Sequence, residues 1–248
     1  MSRIDLNCDL GEGAGHDEEL MPLITSANIA CGAHAGDSGV MRATILLALR
    51  HRVAIGAHPS LNDREHFGRR ELPVTPAEVH LLVLTQTRVL QIIARQCGAT
   101  VAHVKPHGAL YNMAARDAAV AEAVSVAVHE ADPKLVLFGP PNSQLLAAGR
   151  AHGLRVANEV FADRTYQPDG SLTRRTEPGA LIDDVNAAIA QVRQMVRTGK
   201  VTAVDGSLVP VTADTVCLHG DGEHAVFFAT RLNAELRKSR IELKAPGA

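Results

Sequence analysis

The segment TPAEVHLLVLTQTRVLQIIARQCGATVAHVKPHG, residues 75–108, has the pattern of one complete helix and a strand that follows it. Thr75 can cap the helix and Pro76 suits its first turn, so the pattern predicts a helix over Pro76–Gln96. Apolar residues recur inside this stretch at helical spacing. The short apolar run Val101–Lys105 then predicts a strand. Such a helix–strand alternation is typical of βα units built around a parallel sheet.

The same alternation extends along the chain in both directions. Six further strands are predicted, and they are Ile4–Cys8, Ala27–Ala30, Val53–His58, Leu135–Phe138, Leu154–Val160 and Thr215–His219. Four further helices are predicted, and they are Ser38–His51, Asp117–Glu130, Asn142–His152 and Pro178–Arg197. Two Asp-Gly pairs, at 169–170 and 205–206, predict hairpins in loops. Seven strands with intervening helices favour one α/β domain over residues 1–248, an irregular closed barrel related to the (β/α)₈ type. An open doubly wound sheet is the alternative.

The composition excludes several classes of protein. The 248 residues include 25 Lys and Arg against 27 Asp and Glu, for a net charge of -2, so neither nucleic acid nor an anionic membrane is an expected partner. No apolar run is long enough to span a membrane. The four cysteines are scattered, and the first residues lack the apolar run of a secretory signal. We therefore expect a cytoplasmic protein with reduced thiols.

Polar side chains collect where the predicted strands end, which is where parallel βα folds place their binding sites. They follow six of the seven predicted strands, and they are Asn7, Asp9, Glu12, Asn28, His34, Asp37, His58, Lys105, His107, Glu159, Asp163, Arg164, His219 and Asp221. Because alternate strand residues point to one face, Asn7 and Asp9 share a face. Lys105 and His107 share a face for the same reason. The intervening residues are apolar, so one face is expected to meet the helices and the other to point toward the mouth of the barrel.

Some of these residues also have a structural explanation. Asp37 is expected to cap the following helix, which does not exclude a ligand contact. An ordinary salt-bridged lysine is the alternative explanation of Lys105. Arg70 belongs to a charge pair in a loop, which is usually solvated but can also grip a carboxylate or phosphate.

Motifs of several common enzyme classes are absent. The only Gly-Lys pair, at 199–200, is followed by Val201, so the chain has no P-loop. It also has no G-x-S-x-G elbow and no H-E-x-x-H helix. Asp9, His34 and His58 would suit zinc or manganese, but their separation in the sequence is not a metal-binding signature. The presence and identity of a metal therefore stay undecided.

Taken together, the motifs closely resemble those of the LamB/YcsF family. The matching segments run in order along almost the whole chain, and they are Leu6–Glu12, Ser26–Gly32, His34–Asp37, Gly56–Ser60, Phe67–Arg70, His103–Asn112, Glu159–Arg164, Val204–Gly206 and His219–Asp221. The resemblance implies a distorted seven-stranded (β/α) barrel, similar to the glycoside hydrolase/deacetylase fold. It also implies ATP-dependent hydrolysis of 5-oxo-L-proline to L-glutamate, with ATP and magnesium bound and with partner subunits B and C. A metal-dependent deacetylase or amidohydrolase on the same barrel is the alternative.

The implied reaction suggests roles for the polar residues. Opening an unactivated lactam needs a base for water, an acid for the departing nitrogen, and cations for the anionic groups. The expected catalytic residues are Asp9, Glu12, His58, Lys105, His107 and His219. The expected substrate- or nucleotide-binding residues are Asn7, Asn28, His34, Asp37, Arg70, Glu159, Arg164 and Asp221. Replacing Lys105 by Ala is expected to abolish turnover and to leave the fold intact. Because a P-loop is absent, it stays open whether ATP binds this chain or a partner protein.

Overall fold

Seven parallel strands of the described chain close into a barrel. A computed structural model of the protein describes residues 2–174, 177–218 and 225–247. The barrel strands are β1 (Arg3–Leu10), β2 (Ser26–Ala30), β3 (Ala54–His58), β4 (Val101–Val104), β5 (Val136–Gly139), β6 (Arg155–Phe161) and β9 (Thr215–Leu218). Each strand pairs in parallel with the next, and β9 pairs with both β6 and β1, which closes the ring. The closed barrel predicted from the sequence is confirmed, and the open sheet is wrong.

The other elements surround or extend this ring. The remaining strands are β7 (Lys200–Thr202), β8 (Leu208–Pro210) and β10 (Glu242–Leu243). β7 and β8 form the antiparallel hairpin expected at 205–206, and β10 pairs with the first residues of β1. The helices of the described residues are α1 (Asp17–Leu20), α2 (Ser38–His51), α3 (Pro76–Gln96), α4 (Gly108–Arg116), α5 (Ala118–Ala131), α6 (Gln144–Ala151), α7 (Val185–Thr198) and α8 (Ala225–Lys238), with a 3₁₀ turn at Met21–Leu23. Within the described ranges, no helix has both the length and the apolar character needed to cross a lipid bilayer.

The helix ends follow local capping chemistry. α2 and α3 have the predicted bounds. At the start of α3, the Thr75 hydroxyl accepts a hydrogen bond from the Glu78 amide at 3.3 Å, and the Glu78 carboxylate accepts from the Thr75 amide at 2.7 Å. This reciprocal capping box fixes the first turn.

α7 is shorter than predicted, because it begins at Val185 rather than Pro178. The Asp184 side chain caps it by accepting a hydrogen bond from the Asn186 amide. The preceding residues bond elsewhere, since the Ile182 amide donates to the Asp163 carbonyl in the loop after β6. α4 was not predicted. It begins directly after β4, where Gly108 packs so closely on the Gly68 carbonyl that a Cβ atom would lie 2.5 Å from that oxygen.

Side-chain alternation along the strands separates two environments, as expected. Leu6 and Cys8 of β1 point outward into the main hydrophobic cluster, which the helices complete. Asn7 and Asp9 point into the barrel, where they meet polar side chains from strands that are not their neighbours. The barrel interior, or lumen, is thus largely polar, and it leads to the carboxyl ends of the strands.

Candidate active site

An acid–imidazole pair lies at the mouth of the barrel. Asp9 is near the end of β1 and His58 is the last residue of β3, and Asp9 Oδ2 is 3.3 Å from His58 Nε2. Burial by itself would lower the pKa of His58, but the Asp9 carboxylate outweighs burial and raises it above its ordinary value. Burial would likewise raise the pKa of Asp9, yet His58 and Lys105 together hold it well below its usual range. Asp9 is therefore an ionised carboxylate beside an imidazole that readily accepts a proton.

The ammonium group of Lys105 is enclosed by protein acceptors. Its Nζ lies 2.9 Å from Asp9 Oδ1, 2.9 Å from Glu159 Oε1, 3.3 Å from Asn7 Oδ1 and 3.1 Å from Cys217 Sγ. Burial would lower the pKa of Lys105, but the neighbouring acidic groups, Asp9 first, raise it well above its ordinary value. Three N–H donors already face four acceptors, so this lysine neutralises and orients Asp9 and Glu159. It has no donor left for a substrate anion.

A layer of amides supports this pair from inside the lumen. The Asn28 amide nitrogen donates to Asn7 Oδ1 at 2.7 Å and to Asp9 Oδ1 at 2.8 Å. The Asn7 amide nitrogen donates to Glu159 Oε1 at 3.0 Å. His103, which is also buried, lies 2.8 Å from Asn28 Oδ1 through its Nε2. These residues hold the Asp9 carboxylate in one orientation.

A second buried acid closes the lumen further from the mouth. Asp5 accepts hydrogen bonds from the hydroxyls of Thr25, Ser26 and Thr215 at 2.5, 2.8 and 2.5 Å. Burial raises the pKa of Asp5 to about 6 despite these hydrogen bonds. Asp5 thus ties β1 to both strands that flank it.

A cluster of three histidines and one glutamate adjoins the pair at the mouth. Glu12 lies in the loop after β1, His34 in the loop after β2, and His107 directly before α4. Glu12 Oε1 is 2.8 Å from His34 Nε2, 3.4 Å from His107 Nδ1 and 3.8 Å from His58 Nε2. Burial, reinforced by His58, lowers the pKa of His34 to about 3 and that of His107 to about 2. One potential ligand atom from each of the four residues falls within 4.8 Å of the others, so the cluster could hold a metal ion.

A cavity of about 530 Å³ opens beside this cluster. Glu12 and His34 contribute to its wall, together with Arg64, Phe67 and the glycine-rich loop 11–15. This volume is in the range of small-molecule sites, which are roughly 300–1,000 Å³. A small ligand in the cavity would therefore contact the cluster directly.

The structure brings most of the predicted site residues together. Those that meet at the mouth are Asp9, Glu12, His34, His58, Lys105 and His107. Asn7, Asn28 and Glu159 lie beneath them, buried in the lumen. Asp37 caps α2 by accepting from the Val40 amide at 2.9 Å, and it lines the same cavity.

Two predicted residues lie elsewhere, and two cannot be placed. Arg70 is more than half exposed and pairs with Asp63 at 3.4 Å, not with the cluster. Arg164 is buried and donates to the Thr173 carbonyl in the loop after β6. His219 and Asp221 fall outside the described residues.

Some residues of the site were not predicted, and Cys217 and Ser60 are two that contact the predicted residues directly. Cys217 contacts the Lys105 ammonium, and Ser60 lies 3.0 Å from His34 through its hydroxyl. A period-two signal was available for Cys217, since it stands two residues before His219 in the predicted last strand. Ser60 follows His58 at the same spacing, but it lies beyond the end of the strand, where that spacing carries no direction.

The fold and site define a class: a closed parallel β/α barrel with a buried histidine–carboxylate site at the carboxyl ends of its strands. The model of the LamB/YcsF family matches residues 4–248. The chain belongs to the LamB/YcsF family.

A curated relative and one solved structure agree with this assignment. The chain is 54% identical over 250 residues to a Geobacillus kaustophilus (strain HTA426) protein named as the A subunit of 5-oxoprolinase, with 99% of this chain and 98% of the relative covered. The crystal structure of the lactam utilization protein from Thermus thermophilus superposes with a TM-score of 0.93 at 42% identity, covering 98% and 99% of the two chains. A deacetylase, T48, shares the fold alone, with a TM-score of 0.51 at 11% identity, covering 96% of this chain and 85% of that one.

Proposed function

We propose that this chain is the A subunit of a 5-oxoprolinase that opens the lactam ring of 5-oxo-L-proline to L-glutamate at the expense of ATP. The observation that carries the proposal is the Asp9–His58 pair at the mouth of the barrel, in a chain 54% identical over its length to a protein of that name. Subunits B and C are the proposed partners. A cytoplasmic location is proposed as well, and the four cysteines, which are all free thiols, support it.

The chemistry explains why ATP would be needed. A lactam is an unactivated amide, and phosphoryl transfer from ATP to its oxygen weakens the amide resonance. Water can then add to the ring carbon, and a proton delivered to the nitrogen lets the C–N bond break. A second water releases phosphate from the resulting acyl phosphate. The products are glutamate, ADP and phosphate.

The described residues can supply the proton transfers. His58 has a raised pKa and faces Asp9, so this pair is suited to take a proton from the attacking water. Glu12, which lies beside both the cavity and the histidines, is placed to return a proton to the ring nitrogen. Magnesium-bound ATP is proposed at the same mouth, with ATP held by this chain or by one of its partners.

A metal-dependent amidohydrolase on the same barrel is the second candidate. The observation that favours it is the cluster of Glu12, His34, His58 and His107, whose potential ligand atoms converge. Such an enzyme would cleave an amide without ATP and would lose activity in the presence of a chelator.

Glutamate release from 5-oxo-L-proline separates the two candidates. The purified chain is assayed with and without Mg–ATP, each with and without subunits B and C. The 5-oxoprolinase proposal expects glutamate only when ATP and both partners are present. Asp169→Asn, in an exposed hairpin, is a matched control for Asp9→Asn, and it should behave as the unmodified chain does. Glutamate formed without ATP, or none formed in the complete mixture, would overturn the proposal.

A further inference from the structure

We infer that Glu12, His34, His58 and His107 bind one divalent transition-metal ion, with Zn²⁺ preferred. The four residues come from the loops and strand ends after β1, β2, β3 and β4, and all three histidines are buried. The site itself stands on geometry alone. Its role in catalysis rests on the proposed 5-oxoprolinase function.

The outer hydrogen bonds fix two of the histidine tautomers. His58 Nδ1 lies 2.7 Å from the Lys105 carbonyl oxygen, and His107 Nε2 lies 2.9 Å from the Phe67 carbonyl oxygen. A carbonyl oxygen only accepts, so both of these ring nitrogens carry a hydrogen. The lone pairs are therefore on His58 Nε2 and His107 Nδ1, which are the nitrogens that point into the cluster.

A relay through a hydroxyl fixes the third tautomer. His34 Nδ1 lies 3.0 Å from Ser60 Oγ, and that hydroxyl donates its hydrogen to the Leu61 carbonyl at 2.9 Å. Ser60 Oγ must therefore accept from His34 Nδ1–H, which leaves the lone pair on His34 Nε2. Hydrogen bonding of the far ring nitrogen to a protein acceptor is the usual way in which metal-binding histidines are oriented.

The result is a buried set of four acceptors that face one another. His58 Nε2 and His107 Nδ1 are only 2.9 Å apart, although neutral forms of these tautomers have no hydrogen between them. His34 Nε2 lies 2.8 Å from a carboxylate oxygen of Glu12, and an ionised Glu12 likewise leaves no hydrogen between the two atoms. Lone pairs at such distances repel, so the cluster needs a positive charge at its centre, supplied either by a proton or by a metal ion.

The separations suit a metal ion as that charge. Four ligands arranged tetrahedrally at the usual Zn–N and Zn–O lengths of about 2.0–2.2 Å lie about 3.4 Å from one another. Four of the six separations are 2.8, 2.9, 3.4 and 3.8 Å, which bracket that value, and all six are within 4.8 Å. Imidazole-rich sites with one carboxylate suit zinc.

One ring must tilt when the ion binds. The rings of His34 and His107 are stacked, with centroids 3.8 Å apart and planes within 3° of parallel. Because an imidazole lone pair lies in the ring plane, two parallel rings cannot both point at one ion. In the 5-oxoprolinase proposed above, His58 Nε2 and Glu12 Oε1 would hold the ion when it is bound, so they would no longer transfer protons. The ion would polarise the ring carbonyl, and Asp9 Oδ2, 3.3 Å from His58 Nε2, would accept the proton from water.

Calorimetric titration of the chelator-treated chain with Zn²⁺, and separately with Mn²⁺, tests the site without substrate, ATP or partner subunits. We expect one ion per chain and tighter binding of Zn²⁺ than of Mn²⁺. His58→Gln and His107→Gln should each weaken Zn²⁺ binding more than about 100-fold, and Ser60→Ala, which alters only the outer hydrogen bond of His34, about 10- to 100-fold. His152→Gln, which removes a partly exposed histidine paired with Glu122, should leave binding unchanged.

Thermal unfolding of every variant checks that it is folded. If a histidine variant does not fold, the weakened Zn²⁺ binding expected of Ser60→Ala is the test. No saturable binding of either ion, or Zn²⁺ binding that survives both His58→Gln and His107→Gln, would overturn the proposal. Protonation, rather than a metal, would then supply the charge. Because binding is measured apart from turnover, a chain that binds zinc but forms no glutamate in the complete mixture with ATP and both partners would refute the proposed function and leave the metal site standing.

Discussion

Replacing Lys105 by Met tests whether this lysine is a structural counter-ion. Methionine keeps much of the length of the side chain but removes the ammonium that Asp9 and Glu159 share at 2.9 Å each. Removing one partner of a buried ion pair leaves an uncompensated charge and typically costs about 3–5 kcal/mol. In a chain of this size, each kcal/mol lowers the melting temperature by about 2–4 °C, so we expect a loss of about 6–20 °C. The sequence-based expectation that Lys105→Ala leaves the fold intact is therefore replaced by one of clear destabilisation.

The assay is urea unfolding at neutral pH, with two comparisons. Lys134→Met removes an exposed lysine and should change the unfolding free energy by no more than about 0.5 kcal/mol. Adding Glu159→Gln to Lys105→Met removes one of the two uncompensated carboxylates and should recover part of the loss. A loss below about 1 kcal/mol for Lys105→Met would refute the reasoning, since it would mean that the ammonium does not neutralise both acids.

Three further predictions concern the lumen and the mouth. Burial raises the pKa of Asp5 from 3.8 to about 6, so this group costs the folded state about 3 kcal/mol as pH rises through the window from about 4 to 6. The Asp5→Asn side chain cannot ionise and avoids this cost. The urea midpoint of the variant minus that of the unmodified chain should therefore increase as the pH is raised from about 4 to 7, and a difference that does not change with pH would contradict this. Gly56→Ala would place a Cβ atom 2.0 Å from Nε2 of the buried His103, so we expect a loss of about 1–3 kcal/mol in urea unfolding, and an unchanged midpoint would show that the ring can move. Asp9→Asn should lower glutamate release about 10²- to 10⁴-fold in the complete assay with ATP and both partners, and near-normal turnover would remove its role as a base.

Local signals predicted the strands and most of the long helices of the barrel but did not exclude an open sheet. The strands and the long helices have clear periodicity and caps, so α2 and α3 have the predicted bounds. The start of α7 was misplaced because Pro178 suits a first helical turn, whereas the Asp184 cap and the pairing of residues 180–182 with the loop after β6 decide the true start. Those pairings join segments that are separated in the sequence, which a local pattern does not encode.

The site was predictable in position more than in detail. Strand ends placed Asp9, His58 and Lys105 at one mouth, because parallel strands end on the same side of a barrel. The partners of Lys105 depend on which strands face each other across the ring, so contact with Cys217 could not be read from the sequence. The same holds for Arg70, which the turn geometry of its loop directs to Asp63 and away from the cluster.

The pairing of β1 with β9 has a consequence for how the chain folds. The Thr215 hydroxyl bonds to Asp5 across 210 positions of sequence, and the Asn7 amide nitrogen bonds to the same hydroxyl. A nascent chain still on the ribosome thus presents its first strand long before the strand that completes the ring has been synthesised. Contacts between such distant segments form slowly, so closure of the ring is expected to be a late step in folding. Until that moment the edge of β1 that pairs with β9 is open, and an open strand edge can pair with a strand of another chain.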